Sequence, residues 1–199
     1  MDKKKLIISS NNSHKIREIK EILGYHFEVL PKSSISNAPE VEETGHSFLE
    51  NARLKAMSLS HCTPEWVLAD DSGIEVDALK GDPGIYSARF AGPNATDEDN
   101  NQKLLELLEH TSHEKRTARY QCAMVIAHQG HELAHGIGSC EGIILSEYRG
   151  QGGFGYDPLF WDESLQKTFA QLTPEEKNQI SHRRRALNNL LGKLKSLGI

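Results

Sequence analysis

Two adjacent carboxylates, Asp70 and Asp71, follow the apolar run Trp66-Val67-Leu68 and open the stretch "DDSGIEVDAL". Like charges side by side repel, and the repulsion calls for a cation or hydrogen bonds to offset it. A second acidic pair, Glu42-Glu43, lies between Pro39 and Gly45. Two carboxylates drawn from these pairs would suit magnesium, which takes oxygen ligands, keeps several waters and bridges carboxylates to substrate phosphates. Taken alone, Glu42-Glu43 reads as a solvated loop. The Asp pair reads differently, because the strand ends of α/β sheets are where such proteins bind ligands.

Three further stretches carry donors or aromatic faces. "SSNNSHK", residues 9–15, is a polar turn between a strand and a helix. Amides at a helix N-terminus, with the side chains of Ser10, Asn12 and Lys15, make an anion site. Plain N-capping by Asn12 or Ser13 explains the same residues, and no Walker-type loop is present. In "GGFGYDP", residues 152–158, glycines free the backbone for close approach to a ligand. Phe154 and Tyr156 there offer faces for stacking on a planar base, and a tight turn with buried aromatics is the alternative. In "EEKNQISHRRR", residues 175–185, Lys177, His182 and Arg183 are donors that could read base carbonyls or phosphates. Arg184 and Arg185 read as a solvated, basic helix start.

The elements that must position these residues follow from periodicity. Residues 5–10 predict a strand, Ser13 to Leu23 a helix with Ile16, Ile19 and Leu23 on one face, and residues 26–30 a second strand. A helix from Ser47 to Ser60 turns Phe48, Ala52, Ala56 and Leu59 inward and places Asn51 and Lys55 four apart on one face. A strand over 66–70 delivers the Asp pair. Residues 80–94 read as a structured loop rich in Gly and Pro turns, followed by a helix near 97–110 and long strands near 117–128 and 132–145. "LTPEEK" starts a helix, with Thr173 as N-cap, Pro174 at the first position and Glu176 closing a capping box. A last helix covers 181–197. Early strand–helix alternation and late antiparallel-type strands predict an α/β fold with a mixed sheet.

With 199 residues, 37% hydrophobic and 26% charged, the chain predicts one globular domain over 1–199, with room for two lobes. A net charge of −5 disfavours non-specific binding to nucleic acid or anionic membrane. No apolar run reaches a membrane span, and Leu6 to Ile8 is too short for a signal-peptide core. Cys62, Cys122 and Cys140 make neither a disulfide framework nor a zinc knuckle. The expected location is cytoplasmic.

The order of the blocks is more specific than any one of them. "SxNxxK", "EETGxSFxENAxxKA", "ADDSGxxVDAL", "PGIYSARFAG", "GGFGYDPxF" and "LTPEEKNxISHRxxAL" together resemble the inosine/xanthosine triphosphate pyrophosphatases, over residues 6 to about 190. One departure is His14, where that family often has glycine. The resemblance implies an elongated mixed β-sheet with flanking helices, in two lobes around a deep cleft, usually as a homodimer. It implies Mg2+-dependent hydrolysis of ITP, dITP, XTP and dXTP to the monophosphate and pyrophosphate. The matching catalytic residue is Asp71, and the matching metal ligands are Asp71 and the Glu42-Glu43 pair, with Glu42 favoured. Triphosphate contacts match Ser10, Asn11, Asn12, Ser13, His14 and Lys15, with Lys55 as helper and Ser72 as a further contact. The base pocket matches Phe154, Gly155, Tyr156, Asp157, Lys177, His182 and Arg183. The rival readings are a Maf-like nucleotide pyrophosphatase of other base specificity, a nucleotide sensor without catalysis, and a nucleic-acid binder resting on Arg183 to Arg185.

Overall fold

Leu6, Ile7 and Ile8 are all buried, so the first strand, β1 (Lys4–Ile8), is covered on both faces, as parallel strands are. In this computed structural model, which describes residues 3–198, β1 pairs in parallel with β2 (Phe27–Pro31) and with β3 (Trp66–Val76). Parallel neighbours need long crossovers. Helix α1 (Ser13–Leu23) supplies the first and α2 (Phe48–Ser60) lies within the second. Asn12 caps α1, and Ser47 caps α2 by accepting from the Glu50 N–H at 3.2 Å. Beyond β3 come α3 (Asp97–Leu107), β4 (Thr117–His128), β5 (His131–Ile144), β6 (Phe160–Asp162), β7 (Lys167–Thr168), α4 (Pro174–Ile180) and α5 (His182–Ser196). The seven strands form one sheet in the order β2-β1-β3-β4-β5-β6-β7. Its β5–β6 and β6–β7 pairs are antiparallel, which makes the sheet mixed.

The chain divides into two compact units. The first comprises the chain as far as Asp71, then Cys122–Gly138, then the chain from Arg183 onward. Its largest cluster packs Leu6, Ile8, Leu68, Met124 and Ile126 against Ile19, Leu23, Leu187 and Leu190. The second comprises Ser72–Gln121 and Ser139–His182. Its core gathers Ile74, Val76, Leu104, Ile144 and Leu159 with Tyr120, Tyr156, Phe160 and Phe169.

The expected strand at 66–70 does not stop at the Asp pair but runs on to Val76. Ile74 and Val76 are fully buried in the second unit's core, and Ser87 Oγ accepts from the Ile74 N–H at 2.9 Å. The Asp pair is instead adjacent to the place where β1 stops. The β1–β3 pairing reaches Ile8 and Leu68, and Ser9 N–H donates to the Leu68 carbonyl at 2.8 Å. Strands β6 and β7, with three and two residues, are too short to show an alternation in sequence. The capping box at Thr173 forms as the sequence predicts.

Candidate active site

The first group of polar side chains belongs to the first unit. Asp70 and Asp71 are both buried, the former fully. Consecutive residues of a strand point to opposite faces, so neighbours in sequence acquire different partners. Asp70 Oδ2 lies 3.0 Å from Lys15 Nζ of α1 and 3.5 Å from Arg183 of α5. Arg183 also holds Glu18 of α1. Asp71 Oδ1 lies 3.0 Å from Lys55 Nζ of α2, and Asp71 Oδ2 accepts from Asn51 Nδ2 at 3.3 Å. Lys55 Nζ reaches Glu43 Oε1 as well, at 2.7 Å.

These surroundings separate the two carboxylates electrostatically. Burial by itself would raise Asp70, but the charges of Lys15, Arg183 and Lys55 outweigh it and hold the carboxyl well below the usual range. At Asp71 burial prevails and raises the carboxyl, assisted by Glu43 and opposed by Lys55 and Lys15. Burial also acts to deprotonate Lys55, yet Asp71, Asp70 and Glu43 overcome it and raise the ammonium group. Asp70 is therefore a fixed anion, and Asp71 is the better proton acceptor of the two.

The turn expected to bind phosphate, residues 9–15, shows capping. Asn12 Oδ1 accepts from the His14 and Lys15 amides at 2.9 and 3.2 Å, and Ser10 Oγ accepts from the Asn12 N–H at 3.1 Å. Three amides expected to await an anion are thus bonded within the loop itself. Asn11 and Ser13 are exposed, and His14 Nδ1 meets Arg17 at 3.1 Å. Of the acidic loop pair, Glu43 joins the cluster and Glu42 is exposed. Ser72, half-buried, follows Asp71 in β3.

The second group belongs to the second unit. Asp157 is buried at its centre. Its Oδ2 accepts from Lys177 Nζ at 2.5 Å and from the Phe154 N–H at 2.9 Å, and its Oδ1 accepts from Tyr120 OH at 3.2 Å. Burial, with Asp157 close by, pushes the Tyr120 hydroxyl far above its ordinary value, so it stays protonated and donates. The Tyr120 ring stacks on His182, with centroids 4.6 Å apart and 11° between planes. Lys177 Nζ lies 4.5 Å from the Phe154 ring centroid. Gly153 has φ +74°, and a Cβ there would fall 2.1 Å from Asp157 Oδ2, so the turn admits only glycine. Tyr156 is buried and its OH donates to the Ser87 carbonyl at 2.7 Å.

By its sequence position Arg183 belongs with the expected base-reading donors Lys177 and His182. The structure gives its guanidinium, 1% exposed, to Glu18 and Asp70. It also adds Glu18, Asn51 and Tyr120. Asn51 was traceable through its four-residue spacing from Lys55. Glu18 stands beside Ile19 on the inward face of α1, where a carboxylate demands a partner. Tyr120 looks like any inward strand position until its hydroxyl finds Asp157.

Comparison with known proteins places these residues in a family context. A model of the Ham1 family matches residues 6–193. The dITP/XTP pyrophosphatase of Desulforamulus reducens is 48% identical over 198 residues, covering 98% of each chain. That of Bacillus subtilis is 45% identical over 190 residues, covering 94% of this chain and 95% of the relative. Among solved structures, the Ham1 protein of Staphylococcus aureus superposes with a TM-score of 0.86 at 44% identity, covering 97% of this chain and 99% of that one. A Ham1 protein from Coxiella burnetii gives 0.87 at 40% identity, with the same coverage.

Proposed function

Because the chain belongs to the Ham1 family, we propose that it hydrolyses deaminated purine nucleoside triphosphates, dITP and XTP with ITP and dXTP, to the monophosphate and pyrophosphate. Removing such nucleotides keeps them out of DNA and RNA. The observation that carries the reading is the buried Asp71 carboxylate, raised by its surroundings and set against the Lys55 ammonium. Water gives a proton to Asp71 as its oxygen attacks the α-phosphorus. The bond from the α-phosphorus to the bridging oxygen breaks, and pyrophosphate leaves with that oxygen and its electron pair. Asn51 and Lys55 hold the carboxylate in place. Lys15 and Lys55 supply the positive charge that a triphosphate requires.

The reading includes magnesium. Lys55 already places one cation between the carboxylates of Asp71 and Glu43, so this oxygen set is suited to a hard cation. Among the described residues no three His, Cys, Asp or Glu side chains converge into a preformed cage. Magnesium is commonly held by one or two carboxylates and completed by substrate phosphates and water. Asp71 and Glu43 would hold it, with Glu42 adjacent in the loop, and it would offset charge on the reacting phosphates. The reading also takes the enzyme as a cytoplasmic homodimer. Its three cysteines are free, as a reducing compartment requires. No helix of the described residues is long and apolar enough to cross a membrane.

The direct test is a nucleotide panel at fixed magnesium, with products separated by ion exchange. Monophosphate and pyrophosphate from ITP, dITP and XTP, lost with EDTA, is the expected result; diphosphate and phosphate would reject the reaction. Lys15→Ala will weaken triphosphate binding and turnover, because a charge-assisted phosphate contact is lost. Unchanged steady-state constants for ITP would reduce Lys15 to a structural partner of Asp70. Phe154→Ala will remove a base–aromatic contact worth about 1–3 kcal/mol. The affinity for ITP will fall while inhibition by pyrophosphate stays as it was. Equal weakening of both would make Phe154 a packing residue of its loop.

A further inference from the structure

One helix grips both sides of a single glycine. The Gly155 N–H donates to Asp97 Oδ2 at 2.6 Å, and the Gly155 carbonyl accepts from Asn101 Nδ2 at 2.9 Å. Asp97 and Asn101 are four residues apart in α3 and share a face. The N–H belongs to the peptide plane before the Gly155 Cα, and the carbonyl to the plane after it. A residue has only two soft backbone torsions, one to each plane, so these two hydrogen bonds constrain both torsions of Gly155, with the Phe154 carbonyl in the first plane also accepting from the Asp157 N–H at 3.3 Å. Side-chain packing does not, since a Cβ at Gly155 would meet nothing within 4 Å. Its φ of +62° lies in the left-handed region that glycine enters freely.

What flanks Gly155 gives the grip a purpose. Downstream, Tyr156 is buried and anchored to Ser87. Upstream is the half-buried ring of Phe154, with the Lys177 ammonium 4.5 Å from its centroid. Gly155 is the swivel between an anchored residue and an aromatic face. Asn101 is 2% exposed, and its Oδ1 has no partner among the described residues. A buried amide with one end unmet costs stability, so what Asn101 contributes is its donor end.

We propose that Asp97 and Asn101 are positioning residues for base recognition, locking Gly155 so that Phe154 presents one fixed face to a purine ring. The proposal rests on the purine triphosphate reading given above. Asp97 is exposed, and the helix retains its Thr96–Asp99 capping box without it, so Asp97→Ala will fold. Asn101→Leu keeps the branching and heavy-atom count of the side chain and removes the donor.

The test measures steady-state hydrolysis of ITP, inhibition by pyrophosphate, and hydrogen exchange of the Gly155 amide by NMR. Asp97→Ala and Asn101→Leu will each raise KM about three- to tenfold, the effect of one hydrogen bond, with kcat and pyrophosphate inhibition unchanged. The Gly155 amide will exchange faster in Asp97→Ala. Asp97→Asn, whose amide oxygen still accepts, will restore both KM and protection. Wild-type KM in Asp97→Ala and Asn101→Leu, or a parallel shift of KM and pyrophosphate inhibition, would overturn the proposal. Wild-type enzyme inert toward ITP, dITP and XTP would overturn the underlying reading, a result distinct from active enzyme with indifferent variants.

Discussion

ATP will be hydrolysed with a kcat/KM about four to five orders of magnitude below that for ITP or XTP. Hypoxanthine and xanthine present a 6-keto acceptor and an N1–H donor, whereas adenine presents a 6-amino donor and an N1 acceptor. Lys177 is a donor only, and it is buried and fixed by Asp157 at 2.5 Å. Asp157 is fixed in turn by Tyr120 and by the Phe154 amide, and His182 by its stack on Tyr120. Lys177 has no acceptor to offer an amino group, and a buried donor left unpaired carries its full desolvation cost. GTP shares the 6-keto group and N1–H, so its rejection has to come from position 2. There guanine carries an amino donor, xanthine a keto acceptor and hypoxanthine only hydrogen. A donor facing position 2 satisfies xanthine, tolerates hypoxanthine and opposes guanine, and GTP too will be a poor substrate. Competition assays with ITP, XTP, ATP and GTP at one magnesium concentration decide both points. GTP hydrolysis equal to that of XTP would remove the position-2 argument and leave the 6-position argument standing. ATP hydrolysis near the ITP rate would remove the 6-position argument.

Asp71→Asn will lower kcat at least about a hundredfold, the lower end for loss of a general base. The amide keeps the shape and can still accept from Asn51, but it takes no proton and carries no charge. Lys55 retains Glu43 at 2.7 Å, so the variant will fold, and circular dichroism will match wild type. Near-normal turnover in that folded variant would refute the role of Asp71. The neighbouring substitution separates base from scaffold. Asp70 is held well below the carboxylate range by Lys15 and Arg183 against the effect of its burial, so it is a weak base. Asp70→Asn takes from Arg183 an anionic partner and from Lys15 its ion pair. Its main effect will be on thermal stability, whereas that of Asp71→Asn will be on turnover.

Much of the fold is local and was readable as such. Periodicity located α1, α2, β4 and β5 to within a residue or two, because each helix buries one face, β5 alternates over much of its length and β4 is a long apolar run. Thr173, Pro174 and Glu176 specify a helix start from side chains within a single turn. The ordered blocks from "SSNNSHK" to "SHR" point to the family, since residue type and order are properties of the chain itself. The roles within the site are of another kind. Sequence presents Asp70 and Asp71 as equals. Only folding gives one of them Lys15 and Arg183 and the other Lys55, Asn51 and a nearby Glu43. Arg183 reads as a base donor beside His182, yet its partner Glu18 is 165 residues away along the chain. The exit of β3 at Val76 depends on a second core, and the engagement of the first α1 amides depends on the rotamer of Asn12. Charge, burial and hydrogen bonding act through distance in space, and for these residues that distance is set by contacts between elements remote in sequence.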